Sequence, residues 1–200
     1  MIMTMTLHEF NRKKATSSFL KATQQTPLGK QSAKPMRYDP AILIPIDRTV
    51  FQRDQETVFG LDIWNSYECM WLTENKVPQV AICTLTYNCT SPRIVESKSL
   101  KLYLSTFAYK PFSSKEAVID TIVKDLTEII KAPVVVNLTN LASSPALLDL
   151  SQVRCIDSQI SELQQLTTLS FSQEVVADTV CTHAFQSCCP VTNQPDYATI

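Results

Sequence analysis

The residues best suited to chemistry lie in the stretch Ser187-Cys188-Cys189-Pro190-Val191-Thr192-Asn193-Gln194-Pro195-Asp196. Cys189 is a candidate nucleophile and Asp196 is a candidate acid. A fully extended chain would hold these two residues more than about 20 Å apart. However, the two prolines and the asparagine between them favour turns that fold a segment back on itself. The sequence therefore predicts a loop that sets a thiol beside a carboxyl group.

The residue types in this loop narrow the chemistry that it could perform. The loop contains no histidine, so it differs from the Cys-His pairs of acyl transfer. An ionised aspartate raises the pKa of a neighbouring thiol, which makes Asp196 a poor activator of Cys189 and a better proton donor. A nucleophilic thiol beside a proton donor suits a reaction in which the thiol adds to an electrophile and the heteroatom of the electrophile then takes up protons. The alternative is a structural Cys189, because free cysteine is among the most buried residue types.

The flanks of the loop predict a hairpin. Residues 174–187 are rich in Val, Thr and Phe with some alternation, and Tyr197-Ala198-Thr199-Ile200 restarts a strand. The loop would therefore join two antiparallel strands.

The segment Cys189-Pro190-Val191-Thr192-Asn193-Gln194-Pro195-Asp196-Tyr197 resembles the active-site motif of a known enzyme family. The family is the NADPH-dependent 7-cyano-7-deazaguanine reductases, the nitrile reductases of queuosine biosynthesis in tRNA modification. The resemblance implies that Cys189, and not Cys188, attacks the nitrile to give a covalent thioimide. It also implies that Asp196 is the general acid while two NADPH hydrides reduce the nitrile to an aminomethyl group.

A second stretch, Glu96-Ser97-Lys98-Ser99-Leu100-Lys101-Leu102-Tyr103, lies in a predicted helix beginning near Glu96. The spacing places Leu100, Tyr103, Leu104 and Phe107 on one face. By itself, the pattern favours a solvated face for the lysines.

This second stretch resembles another signature of the same reductases. The resemblance implies that Val95, Glu96 and Ser97 hold the deazapurine substrate, and that Ser97 and Lys98 contact NADPH. It also places the stretch at a subunit interface, so a homo-oligomer, a dimer, is expected. The side-chain types fit these roles, because a carboxylate can accept two hydrogen bonds from a guanine-like edge and a lysine can bind phosphate.

The remaining elements predict an α+β fold. Residues 63–72 and 79–87 form a hairpin, the capping box Ser113-Ser114-Lys115-Glu116 opens a helix that runs to about Ile130, and a strand begins at Val134. Through the resemblance, the order strand, strand, helix, helix, strand is that of a tunnelling fold (T-fold), an antiparallel sheet with two helices on one face. The preceding segment, residues 38–48, is broken by prolines, which predicts extended chain lying on a core. It resembles the leading segment of two-module reductases.

These predictions divide the chain into four parts. Residues 1–37 form a basic flexible arm, 38–140 an N-terminal T-fold module, 141–170 an irregular linker, and 171–200 the start of a second module that carries the loop. The second module is incomplete, so the chain is expected to be a truncated reductase. A His-Glu pair that grips the base in two-module members would lie beyond residue 200. Arg93 is a further departure, since relatives usually have Asn there.

Composition excludes several other classes of function. The net charge of -1 argues against nucleic-acid binding, no apolar run approaches a membrane span of about eighteen residues, and the first residues lack signal-peptide order. The seven cysteines include no CxxC pair and only two histidines occur, which predicts no metal and reduced thiols in the cytoplasm. Only two glycines occur, which excludes a GxGxxG dinucleotide motif.

Two competing functions stay open at this point. The first is a non-catalytic T-fold protein that binds a purine-like ligand or serves in oligomerisation. The second is a redox protein that uses Cys188 and Cys189 as a thiol pair, which is disfavoured because adjacent cysteines form strained disulfides.

Overall fold

A computed structural model of the chain divides it into two compact units, Met1–Ser144 and Pro145–Ile200. The residues that the structure describes are 21–22, 24, 26–27, 30–33, 35–51, 60–143, 152–159, 179–188 and 195–199. The predicted flexible arm lies largely outside these residues, and the four-part division stays a prediction. Each unit is described by itself below.

Between residues 35 and 143, the described part of the first unit includes six strands and two α-helices. The strands are β1 (Pro45–Asp47), β2 (Leu61–Thr73), β3 (Pro78–Asn88), β4 (Arg93–Val95), β5 (Pro111–Phe112) and β6 (Val134–Thr139), and the helices are α1 (Ser97–Thr106) and α2 (Lys115–Ile130).

The main sheet has the order β5-β2-β3-β6. Strands β2 and β3 form the predicted antiparallel hairpin, whose turn places Lys76 in the left-handed region at a φ of 60°. Strand β6 pairs antiparallel with β3, as the predicted element order requires. The two-residue β5 pairs parallel with the end of β2. The sequence pattern does not reveal this edge strand, because two residues are too few to show a period.

Both predicted helices are present, and their predicted apolar faces are buried. Leu100, Tyr103, Leu104 and Phe107 are each at most 5% exposed. In α2 the buried residues recur at helical spacing and are Val118, Ile122, Leu126 and Ile130. The N-cap of α2 is Ser114, whose hydroxyl accepts from the Ala117 amide at 3.1 Å, so the cap lies one residue later than a Ser113–Glu116 capping box.

The core lies between one face of the sheet and the two helices. Strand residues alternate, so Trp71, Leu85 and Leu138 point into the same buried cluster as the helix residues. The opposite face of the sheet is open, and Leu61, Ile63 and Val135 are 60%, 62% and 65% exposed there. The α+β arrangement with both helices on one face is therefore as predicted.

The predicted extended segment, residues 38–48, lies against this core. It forms a short 3₁₀ turn at Pro40–Ile42 and then β1, which pairs antiparallel with β4. The hydroxyls of Tyr38 and Tyr103 both donate to Asp125 Oδ2, the latter at 2.7 Å. Burial, together with these bonds, raises the pKa of both tyrosines. The segment is thus fixed to both helices.

The described part of the second unit consists of two small sheets. Strands β7 (Arg154–Cys155) and β8 (Val180–Cys181) pair in parallel, and β9 (Phe185–Cys188) pairs antiparallel with β10 (Pro195–Ala198). The predicted hairpin around the Cys189 loop is therefore confirmed, although β10 begins two residues earlier than the predicted restart at Tyr197. In the part of the chain that the structure describes, no helix is long and apolar enough to cross a membrane.

Candidate active site

The residues that the sequence singled out fall into two groups, one in each unit. Val95, Glu96, Ser97 and Lys98 are contiguous at the junction of β4 and α1. Cys189 follows β9 and lies outside the described residues. Asp196 lies in β10, where its backbone is described and its side chain is not. The structure thus gives full geometry for the first group only.

Glu96 is a buried carboxylate at the start of α1. It is 2% exposed, and its oxygens accept hydrogen bonds from the amides of Lys98 at 2.7 Å and Ser99 at 2.8 Å. Glu96 is therefore the N-cap of α1, where the helix dipole favours a negative charge. An ionised carboxylate offers about four acceptor positions. The cap leaves acceptor capacity for a ligand, but it also gives Glu96 a structural role.

The leading segment holds this junction in place. The Ile44 carbonyl accepts from the Glu96 amide at 2.9 Å, and the Ile44 amide donates to Ser99 Oγ at 3.1 Å. The ladder between β1 and β4 continues this contact by pairing Pro45 with Val95. Two stretches that the sequence analysis treated separately therefore form one structural unit. No sequence signal revealed this pairing, because strands of three residues show no period.

Arg48 and Arg93 lie near the β4–α1 junction, and each forms an ion pair with an aspartate. The Arg48 guanidinium contacts the Asp62 carboxylate and donates to Ser91 Oγ at 3.0 and 3.1 Å. Arg93 donates to Asp47 at 2.9 Å across the β1–β4 ladder. Arg93, at a position where the family resemblance leads us to expect Asn, thus has an acidic partner within the chain.

Val95 and Ser97 flank Glu96 in different environments. Val95 is 1% exposed, so its side chain belongs to the core and only its backbone is available to a ligand. Ser97 is exposed and lines an open pocket of about 290 Å³. Trp64, Leu85, Leu100 and Leu104 give this pocket an apolar floor. Such a floor suits the flat face of an aromatic ligand.

Two lysines follow on α1. The Lys98 ammonium donates to the Lys30 carbonyl, and Lys101 forms a 3.1 Å ion pair with Glu68 at the rim of the pocket. Both side chains of the ion pair are about 70% exposed, so this pair contributes little to stability. Among the described residues, the contact recorded for the Lys98 ammonium is thus with a neutral carbonyl.

The second group is organised by the register of the β9–β10 hairpin. Cys188 pairs with Pro195, and Asp196 pairs with Ser187. Asp196 therefore lies on a strand, whereas the sequence predicted that it would lie in a loop. At the next register pair, Gln186 Nε2 of the side-chain amide donates to the Tyr197 hydroxyl at 3.2 Å.

Comparisons with known proteins agree on one family. Residues 34–138 match the family described as nitrile reductase, 7-cyano-7-deazaguanine-reductase N-term. An NADPH-dependent 7-cyano-7-deazaguanine reductase of Acinetobacter baylyi is 35% identical over 192 residues, covering 90% of this chain and 69% of that protein. Proteins of the same name from Paraburkholderia phytofirmans and Burkholderia pseudomallei are 37% identical, covering 88% of this chain and 69% of each relative.

The chain belongs to the 7-cyano-7-deazaguanine reductase family. This membership confirms the resemblance seen in the two motifs and the assignment of the T-fold. The family match ends at residue 138, so it covers the β4–α1 junction and not the hairpin of the second unit. The alignments to whole relatives are longer and cover 88–90% of the chain.

Proposed function

We propose that this chain is an NADPH-dependent nitrile reductase that converts 7-cyano-7-deazaguanine to 7-aminomethyl-7-deazaguanine in queuosine biosynthesis. The observation that supports this most strongly is the 35–37% identity to reductases of that name over 88–90% of the chain. The buried, preorganised Glu96 carboxylate and the strand position of Asp196 are consistent with it.

The proposed chemistry assigns one covalent role and one proton-transfer role. The Sγ of Cys189 forms a bond to the nitrile carbon as its proton is lost, and Asp196 donates a proton to the nitrile nitrogen, which gives a thioimide. NADPH, when bound, supplies the two hydrides that the reduction needs. After the first reduction of the thioimide carbon, the C–S bond would break to give an imine and the Cys189 thiolate, and the second reduction would convert the imine to the amine. In total, one nitrile, two NADPH and two protons give one amine and two NADP⁺.

Glu96 is the proposed anchor for the base. A guanine-like edge carries two neighbouring N–H donors, and a carboxylate presents two oxygens at matching spacing. Because each Glu96 oxygen already accepts a backbone amide, its position is fixed before the ligand binds. The Val95 backbone and the exposed Ser97 hydroxyl would complete this contact.

Ser97 and Lys98 are the residues proposed to hold NADPH. Their chemistry fits a phosphate, because one is an exposed hydroxyl and the other is a cation bonded only to a neutral carbonyl among its described contacts. No glycine-rich loop is required for such a contact.

We also propose a homodimer in the cytoplasm. The open face of the sheet exposes Leu61, Ile63 and Val135 by 60% or more, and exposed apolar patches of this kind mark interaction surfaces. Five described cysteines, Cys69, Cys83, Cys89, Cys155 and Cys181, form no disulfide, which suits a reducing compartment. Sedimentation velocity of the wild type and of Ile63→Lys tests the dimer, which the charge should dissociate.

Turnover stoichiometry tests the proposed reaction. Mixing the chain with NADPH and 7-cyano-7-deazaguanine should consume two NADPH for each amine formed, as followed by NADPH absorbance and product mass. Cys189→Ala should abolish consumption, while Cys188→Ala, its matched neighbour, should retain it. Binding of the nitrile compound without NADPH consumption in the folded chain would instead support the non-catalytic purine-binding alternative.

A further inference from the structure

Two short motifs of the second unit lie side by side in the β7–β8 sheet. Cys155-Ile156-Asp157 and Cys181-Thr182-His183 share the pattern of a cysteine followed two residues later by a polar side chain. The parallel ladder pairs Cys155 with Cys181, and the Ile156 amide donates to the Cys181 carbonyl at 3.0 Å. Because paired residues on neighbouring strands face the same side of a sheet, the two thiols lie together.

His183 completes a cluster of three ligand atoms. The Sγ atoms of Cys155 and Cys181 and a ring nitrogen of His183 all lie within 4.8 Å of one another. In a tetrahedral zinc site, bonds of about 2.3 Å to sulfur and 2.0 Å to nitrogen place ligand atoms about 3.5–3.8 Å apart. The three side chains therefore need shifts of only about 1 Å to reach a common metal ion.

Hydrogen bonds from neighbouring residues orient His183 in the way expected for a metal-binding histidine. His183 Nδ1 lies 3.0 Å from Thr199 Oγ1, a contact that orients the ring. We therefore assign Nε2, the other ring nitrogen, as the ligand atom. The Asp157 carboxylate accepts from the His183 amide at 3.0 Å and also from the Thr182 hydroxyl. Metal-bound histidines characteristically have such a partner on the other ring nitrogen.

We propose that Cys155, Cys181 and His183 bind one Zn²⁺, with a water molecule as the fourth ligand. Two thiolates and an imidazole select zinc over magnesium or calcium, which prefer oxygen ligands. The expectation of no metal rested on the absence of a CxxC pair, but these ligands come from two strands that are distant in sequence. His183 lies between β8 and β9, and Thr199 follows β10. The ion would therefore tie the β7–β8 sheet to the base of the β9–β10 hairpin.

Cobalt substitution tests the site in the complete 200-residue chain. The metal-free, reduced chain is titrated with Co²⁺, and one equivalent should produce a thiolate-to-cobalt charge-transfer band and the visible bands of a tetrahedral site. Zn²⁺ should displace the cobalt and abolish both signals. Cys155→Ser and Cys181→Ser should each abolish the charge-transfer signal at one equivalent. His183→Ala should weaken binding at least about 10-fold, and Asp157→Asn should weaken it by about 10-fold.

Matched variants exclude binding elsewhere. Cys89→Ala, Cys189→Ala and His8→Ala remove the same side-chain types from other positions and should keep the full signal. If a variant fails to fold, as judged by circular dichroism, alkylation of the wild-type chain with and without Zn²⁺ tests the same site. Zn²⁺ should protect Cys155 and Cys181 from alkylation while the cysteines outside the site react as before.

Three results would overturn the proposal. The first is the absence of a charge-transfer band at one equivalent of Co²⁺. The second is a signal that survives in Cys155→Ser, which would indicate adventitious binding. The third is a Cys155–Cys181 disulfide that forms equally fast with and without Zn²⁺, which would make the pair a redox couple.

Discussion

The two units differ in how their described residues are held together. In the first unit a four-stranded sheet and two helices enclose one continuous cluster of buried side chains. In the second unit the described strands form two-stranded sheets, and Cys181 is the buried apolar residue among its described positions. Isolated two-stranded sheets are marginally stable in water. Among the described residues of the second unit, polar contacts such as those around Asp157 and His183 are therefore more prominent than core packing.

This difference matters because the residues proposed to bind the substrate and those proposed to react with it lie in different units. The first unit carries Glu96, a residue fixed by packing and capping that is proposed to bind. The second carries Cys189 and Asp196, which are proposed to react. Substitutions in the first unit should therefore change stability and binding together, whereas those in the second should change chemistry with little change in stability.

The largest expected effect is the loss of a core side chain of the first unit. Ile122 is fully buried in α2, so Ile122→Ala should lower the free energy of unfolding by about 2–5 kcal/mol. Val180 of β8 is 40% exposed, and Val180→Ala should cost less than about 1 kcal/mol. Urea denaturation of both variants measures the difference. Equal losses would mean that the second unit has a core of its own.

The next effect concerns the acids assigned to binding and to chemistry. Glu96→Gln replaces one acceptor oxygen by a donor that faces a backbone amide, so it should cost about 1–3 kcal/mol of stability. Asp196→Asn should leave stability within about 0.5 kcal/mol while slowing nitrile reduction by at least about 100-fold. Denaturation and steady-state rates measure both. If Glu96→Gln left stability unchanged, the proposed structural role of Glu96 as the cap of α1 would be wrong.

Alkaline pH should weaken the first unit selectively. Burial, reinforced by bonds to Asp125, raises the pKa of Tyr103 above its ordinary value of 10. The unfolded chain then ionises before the folded chain does, so the free energy of unfolding should fall as pH rises above about 10.

Denaturation between about pH 8 and pH 11 measures this slope. Tyr103→Phe should make it shallower, and Tyr67→Phe, whose side chain is 61% exposed, serves as the control. If Tyr103→Phe did not change the slope, groups other than Tyr103 would be responsible for the loss of stability at alkaline pH.

The smallest effect is expected for the surface ion pair between Arg93 and Asp47. Arg93 and Asp47 are 36% and 62% exposed as a pair, and such surface ion pairs contribute about 0–1 kcal/mol. Arg93→Asn should therefore change stability by less than about 0.5 kcal/mol, as measured by urea denaturation. A larger loss would show that this ion pair anchors β1 to β4.

The sequence predicted the first unit well because its elements are long enough to show a period. The helix face of Leu100, Tyr103 and Leu104 and the β2–β3 hairpin were both visible as patterns. The pairing of β1 with β4 was not, because its three-residue strands pair across a long separation and carry no local signal. The α2 cap was displaced by one residue because two serines stand side by side, and only the fold selects between them.

The functional roles of the candidate site residues stay predictions. The motifs predict roles for Glu96 and Asp196, but sequence alone could not show that Glu96 caps α1 or that Asp196 lies on a strand. The cluster of Cys155, Cys181 and His183 had no sequence signal, because it depends on a parallel pairing between distant segments.

The intact mass of the chain after mixing with 7-cyano-7-deazaguanine, without NADPH, tests the proposed covalent mechanism most directly. The proposed thioimide predicts an increase equal to the mass of the ligand in the wild type and in Cys188→Ala, and no increase in Cys189→Ala. An adduct that persists in Cys189→Ala, or a folded wild-type chain that forms none, would contradict the role of Cys189 as the nucleophile in this chain.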